Sequence, residues 1–217
     1  MHTKKTYTAF EMAMWTRFET LLFIVIIVAW VAAYYFFDLG WLEIPWTPLA
    51  LIGTAVAFVI GFQNNSAYGR IWEARKIWGG IVNTSRTFGM FVQDMLTNEH
   101  AKVQLTKAEL QHEIKILTYR HIAWMTALRH AMRMPKPWET TSNHRTNQEW
   151  GTRPPEKDST LEEDLKPYIS AADFEYVINK NNKQTALLYL QSHHLRKLKE
   201  QGIIWGFSFL ELENVLE

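Results

Sequence analysis

The chain has 217 residues, 47% of them hydrophobic and 14% aromatic, with 23 basic against 22 acidic side chains. It has no cysteine, which excludes a disulfide scaffold, a thiolate metal site, an iron–sulfur cluster and a cysteine nucleophile. The near-zero charge argues against a general nucleic-acid binder, which needs an excess of Lys and Arg. The mean hydropathy of −0.18 averages over two unlike parts.

The N-terminal segment, residues 1–19, holds Lys4, Lys5 and Arg17. Leu21 to Phe37 (LLFIVIIVAWVAAYYFF) then runs without a charge, and as a helix it nearly crosses a ~30 Å hydrocarbon layer. No small-x-small cleavage site precedes Tyr34 and a second apolar run follows at once, so a cleaved signal peptide does not fit. DLGWLEIP (Asp38 to Pro45) connects the runs, with two acids and no Lys or Arg. The second uncharged stretch, Ile44 to Gly69, opens with IPWTPLALIGTAVAFVIGF and ends polar.

A charge at mid-bilayer costs roughly 2.5–3.5 kcal/mol on insertion scales, so two charge-free windows read as membrane spans in place of buried core helices. Tyr34, Tyr35, Trp41 and Trp46 lie where an interfacial aromatic belt belongs. Lys4, Lys5 and Arg17 flank the pair on one side and Arg70, Arg75 and Lys76 on the other. The positive-inside rule therefore places both ends of the hairpin in the cytoplasm and the acidic loop outside. Residues 20–69 are expected to form a transmembrane hairpin and residues 70–217 a cytoplasmic helical region.

From Arg70 onward the pattern is that of amphipathic helices. In Ala108 to Met134, the residues Leu110, Ile114, Leu117, His121, Trp124 and Leu128 recur at three- or four-residue intervals, and Pro135 and Pro137 end the run. Trp138 to Lys157 reads as a loop. Further helices are predicted at Thr160–Tyr168, Ala171–Asn179, Thr185–Gln201 and Ile204–Leu216. Alternating strand patterns are scarce, and the predicted class is all-α.

Chemical motifs are missing from the pattern. His112, His121 and His130 are nine residues apart, which alternates helix faces, unlike the i, i+4 pair of a zinc helix. His193 and His194 also diverge. Glu162, Glu163 and Asp164 fan around a helix as a solvated face. No phosphate loop, nucleophile elbow or kinase set occurs, so neither an enzyme nor a cofactor or metal site is predicted. The second apolar helix is different. Gly53, Thr54, Ala57, Gly61 and Asn65 give it a small or polar side that suits close packing in lipid. Thr54, Phe58 and Phe62 form a narrow stripe on it, which, repeated around a symmetric ring, makes a pore with a hydrophobic constriction. The pattern accommodates both readings.

Gly61 to Arg86, GFQNNSAYGRIWEARKIWGGIVNTSR, closely resembles the signature of the bestrophin family of ion channels. The resemblance rests on Gly61-Phe62, Asn64, Ala67-Tyr68, Arg70, Trp72-Glu73, Arg75, Trp78-Gly79, Asn83 and Arg86, and a weaker likeness covers nearly the whole chain. It implies a homopentamer in a bacterial inner membrane with one central pore. It also implies a neck on the second membrane helix at Thr54, Phe58 and Phe62, and a cytoplasmic aperture near Thr185. Thr54 stands where the family has an aliphatic residue, a departure expected to widen or wet the neck. Ile71 stands where a second tryptophan is common. Family members continue into a further pair of membrane helices, and animal members add an acidic calcium clasp. This chain stops at Glu217 before either, so it is expected to be a fragment or a shortened protein, without calcium activation.

The function expected from the resemblance is passive ion conduction, chloride or another anion in the first place, with monovalent cations as the alternative ions. The expected partners are the lipid bilayer, those inorganic ions and further copies of the chain. Two rivals belong to other classes: a non-conducting membrane-anchored adaptor, and a membrane enzyme built from scattered His and Glu residues.

Overall fold

The computed structural model describes residues 7–43, 45–134, 136–137, 145–150 and 155–216. Among these described residues are nine α-helices and no strand, in agreement with the all-α expectation. The helices are α1 (Ala9–Trp15), α2 (Arg17–Phe37), α3 (Trp46–Met95), α4 (Lys107–Arg133), α5 (Arg145–Trp150), α6 (Leu161–Leu165), α7 (Ala171–Ile178), α8 (Lys183–Glu200) and α9 (Gly206–Leu216). Short 3₁₀ turns occupy Gly40–Leu42 and Pro155–Lys157.

Helix starts follow local chemistry. Thr8, Thr106 and Thr160 each accept from the backbone N–H three residues on, and Glu11, Glu109 and Glu163 return the bond to the cap backbone. These reciprocal boxes satisfy donors that the first turn leaves open. Ser170 and Asn182 cap α7 and α8. The Asn182 cap bonds the Thr185 N–H at 3.0 Å, which is why α8 begins two residues before the predicted Thr185. Helix α6 stops at Leu165, short of the predicted Tyr168, because Pro167 brings no N–H to extend it.

The stretch predicted as a loop, Trp138 to Lys157, needs correction in part. Residues 145–150 are helical, where Glu149 pairs with Arg145 one turn earlier and with Arg17. Those ion pairs outweigh the weak helix propensity of Thr146 and Asn147. Residues 138–144 and 151–154 lie outside the described residues, as do Lys4, Lys5, Ile44, Pro135 and Glu217.

The chain divides into two compact units, residues 1–72 with 136–153, and residues 73–135 with 154–217. In the first, α2 has 21 residues and no buried one. The 18-residue apolar windows of α2 and of the Gly40–Met95 segment are both 0% buried. Each is long and apolar enough to cross a membrane. The Arg17 guanidinium lies over the Phe18 ring at 4.6 Å, and that of Arg145 covers the same ring at 4.7 Å.

The second unit contains the conventional core. Phe88 and Val92 of α3 pack with Ile114 and Leu117 of α4, Leu195 and Leu198 of α8, Ile203, Ile204, and Leu212 of α9. A second cluster joins Ala123 and Ala127 of α4 to Leu165, Val177 and Leu187. Two glutamines set the register of α8 on α4: the Gln191 side chain donates to the Leu117 carbonyl at 2.8 Å, and that of Gln184 to the Ala127 carbonyl at 3.1 Å. Past α8, Gly202 adopts φ +80°, and a Cβ there would meet the His100 carbonyl oxygen at 2.2 Å. Only glycine permits both the left-handed backbone and that approach.

Candidate pore-lining site

The stripe predicted on the second apolar helix lies on α3. Phe58 and Phe62 are one turn apart, with ring centroids 6.4 Å from each other and planes at 24°. They are 64% and 68% exposed. Thr54 continues the row, and its hydroxyl donates back to the Ala50 carbonyl at 2.9 Å. This bond satisfies the hydroxyl within its own helix. The small residues Ala57 and Gly61 leave a shallow concavity beside the rings, bounded below by Asn65. A Cβ added at Gly61 would meet nothing within 4 Å.

The rest of the signature continues along the same helix. Tyr68 stacks on Trp72 with centroids 6.4 Å apart and planes at 13°. Asn64, Arg70, Glu73, Arg75 and Trp78 are exposed. Among the described residues, Arg70, Glu73 and Arg75 have no ion-pair partner. Trp72 is the last signature residue of the first unit and Glu73 the first of the second. Thr185 is exposed in the first turn of α8, in the second unit. The fold thus gathers Thr54, Phe58 and Phe62 on one face.

His121 and His130 serve the fold. His121 stacks on Phe88 at 4.7 Å and meets Trp124 at 5.2 Å with the planes tilted by 36°. Burial lowers its pKa to about 4, so the ring is neutral at pH 7 and packs as an aromatic. His130 bonds Asp164 at 2.8 Å, and Ser159 donates to the same carboxylate oxygen at 3.1 Å. Asp164 is held below the usual carboxylate range, chiefly by the His130 bond. Of the acidic run expected to be a solvated face, Glu163 closes a cap and Asp164 is bound to His130; only Glu162 keeps the bland role. No group of three or more His, Asp or Glu able to hold a metal ion occurs among the described residues.

A polar chain across the second unit has no sequence signal. Arg120 bonds His194 at 3.0 Å and Asp173 at 2.7 Å, and His194 bonds Glu113 at 2.8 Å. Its members are 53 to 81 residues apart in pairs, so no local spacing announces them.

A helical protein whose two membrane-length apolar windows bury no residue is built to meet lipid, and this is a membrane protein. Residues 12–217 match the family model described as bacterial/fungal bestrophin protein, and the chain belongs to that family. It is 27% identical over 170 residues to a voltage-dependent anion channel-forming protein of Ralstonia nicotianae, a match that covers 78% of this chain and 45% of that protein. A protein of the same description from Mesorhizobium japonicum is 45% identical over 51 residues, covering 24% of this chain and 16% of the relative. The fold is similar to that of a bacterial bestrophin homolog from Klebsiella pneumoniae, with a TM-score of 0.69 at 19% identity, over 93% of this chain and 62% of that one. The chain spans about half the length, or less, of the curated relatives it matches.

Proposed function

We propose that the protein forms a homopentameric ion channel of the bacterial inner membrane and conducts anions, chloride foremost, down their electrochemical gradient. The reading rests above all on one observation: the Thr54–Phe58–Phe62 row is a continuous exposed face on a helix with no buried residue in its membrane-length window. Five such rows around an axis make a narrow apolar neck, where ions shed part of their hydration. Aromatic ring edges carry partial positive charge, which favours anions at Phe58 and Phe62. Thr185 supplies the second, cytoplasmic aperture. The hairpin of residues 20–69 spans the membrane with both ends in the cytoplasm, preceded by residues 1–19 and followed by the cytoplasmic region of residues 70–217. The relatives described as anion channel-forming proteins support the choice of ion.

The test is ion flux in proteoliposomes. Phe58→Ala with Phe62→Ala removes ring bulk without adding charge, so conductance rises several-fold while the pentamer persists. Phe23→Ala on α2 changes nothing. Equal flux for wild type and the double variant, both pentameric, makes the stripe a packing surface. No flux from any pentameric form leaves a non-conducting membrane adaptor.

A further inference from the structure

The neck row carries no charge, and the fold supplies one elsewhere. Helix α8 buries Ala186, Leu187, Gln191, Leu195 and Leu198. At 100° per residue Thr185, Tyr189, Ser192 and Arg196 fall within about 60° of one another, on the opposite side. Thr185, Tyr189 and Arg196 are exposed and Ser192 is half-buried. The row therefore presents three hydroxyls and, about 16 Å along the helix from Thr185, a guanidinium.

Arg196 is not consumed by structure. Its side chain is 60% exposed, and its one ion pair among the described residues, to Glu200 at 3.6 Å, joins it to a carboxylate that is 66% exposed. Such a pair contributes little and is readily exchanged. Lys199, on the same side, rests over the Phe209 ring at 4.6 Å. The end of the face thus holds two cations against one acid, and its hydroxyls can donate to an anion.

We infer that this face of α8 lines the cytoplasmic ion path and that Arg196 is the residue that sets the preference for anions. The inference rests on the pentameric channel reading with Thr185 at the aperture. Five copies of Arg196 around one axis make a positive ring at one end of the passage. A ring of like charge within a low-dielectric wall concentrates counter-ions and repels co-ions. The ring adds full charges to the weaker bias that the aromatic edges give the neck, and so dominates the selection.

Reversal potentials in a KCl gradient test this on the reconstituted pentamer. Wild type and Arg196→Lys share an anion preference, whereas Arg196→Glu lowers the chloride-to-potassium permeability ratio by about tenfold or more. Lys107→Glu, the same charge change at the start of α4, leaves the ratio unchanged. An Arg196→Glu pentamer that conducts with wild-type selectivity overturns the inference and leaves the channel reading intact. Loss of the pentamer in Arg196→Glu also overturns it, since the face is then an interface between copies. A wild-type pentamer without flux overturns the channel reading, and this inference with it.

Discussion

Arg120 donates from Nη1 to Nδ1 of His194 across 3.0 Å, and that bond fixes the state of the imidazole. Arginine has no acceptor and stays charged, so Nδ1 must be bare and Nε2 must carry the hydrogen donated to Glu113 at 2.8 Å. His194 is therefore neutral when the network is complete. Burial, then the Arg120 charge, lower its pKa, against the opposing pull of Glu113. Arg120 also pairs with Asp173 of α7, so a single side chain of α4 ties α7 and α8 together.

Removing that side chain is expected to be costly. Arg120→Met strands the Asp173 carboxylate and deprives Nδ1 of its donor, for a loss of about 2–3 kcal/mol. Chemical denaturation measures it. In a double-mutant cycle, Arg120→Met and Asp173→Asn should be non-additive by about 1 kcal/mol or more. Additive losses would mean that the two side chains act independently.

His121 makes stability depend on pH in a defined window. Its folded pKa, about 4, lies below the ordinary 6.5 because burial disfavours the charged ring. The unfolded chain thus binds the extra proton between those values. The contribution of the neutral ring is complete above pH 6.5, declines as pH falls toward 4, and changes no further below that. The whole effect is on the order of 3 kcal/mol. His121→Phe keeps an aromatic ring against Phe88 and Trp124 and removes the titration. The stability difference between variant and wild type should therefore widen on acidification from pH 6.5 to 4. A difference constant across that range would show that His121 titrates alike in both states.

Gly202 and Gly206 make a matched pair. Gly202→Ala forces a Cβ into the His100 carbonyl at positive φ, whereas the same change at Gly206 meets nothing within 4 Å. The first should lose about 2 kcal/mol, read as a lower thermal midpoint, and the second should stay within error of wild type. Equal midpoints would mean that the 97–105 loop moves aside without cost.

What was readable from sequence alone followed from short-range physics. The charge-free runs announced two apolar helices because a bilayer penalises every charge, and the three- to four-residue recurrence of large side chains announced α4 because a helix turns every 3.6 residues. The Thr54–Phe58–Phe62 row was likewise a matter of helical period. Tertiary structure decided what depends on residues far apart in the chain. It recruited Asp164 to His130 and joined Glu113, His194, Arg120 and Asp173. It made a helix of residues 145–150 through the partnership of Glu149 with Arg17. It also left Arg196 of α8 facing outward while Gln184 and Gln191 anchored the opposite face to α4. Long-range pairing of polar groups follows no period, because each bond needs only two atoms brought within about 3 Å, and only the fold brings them there.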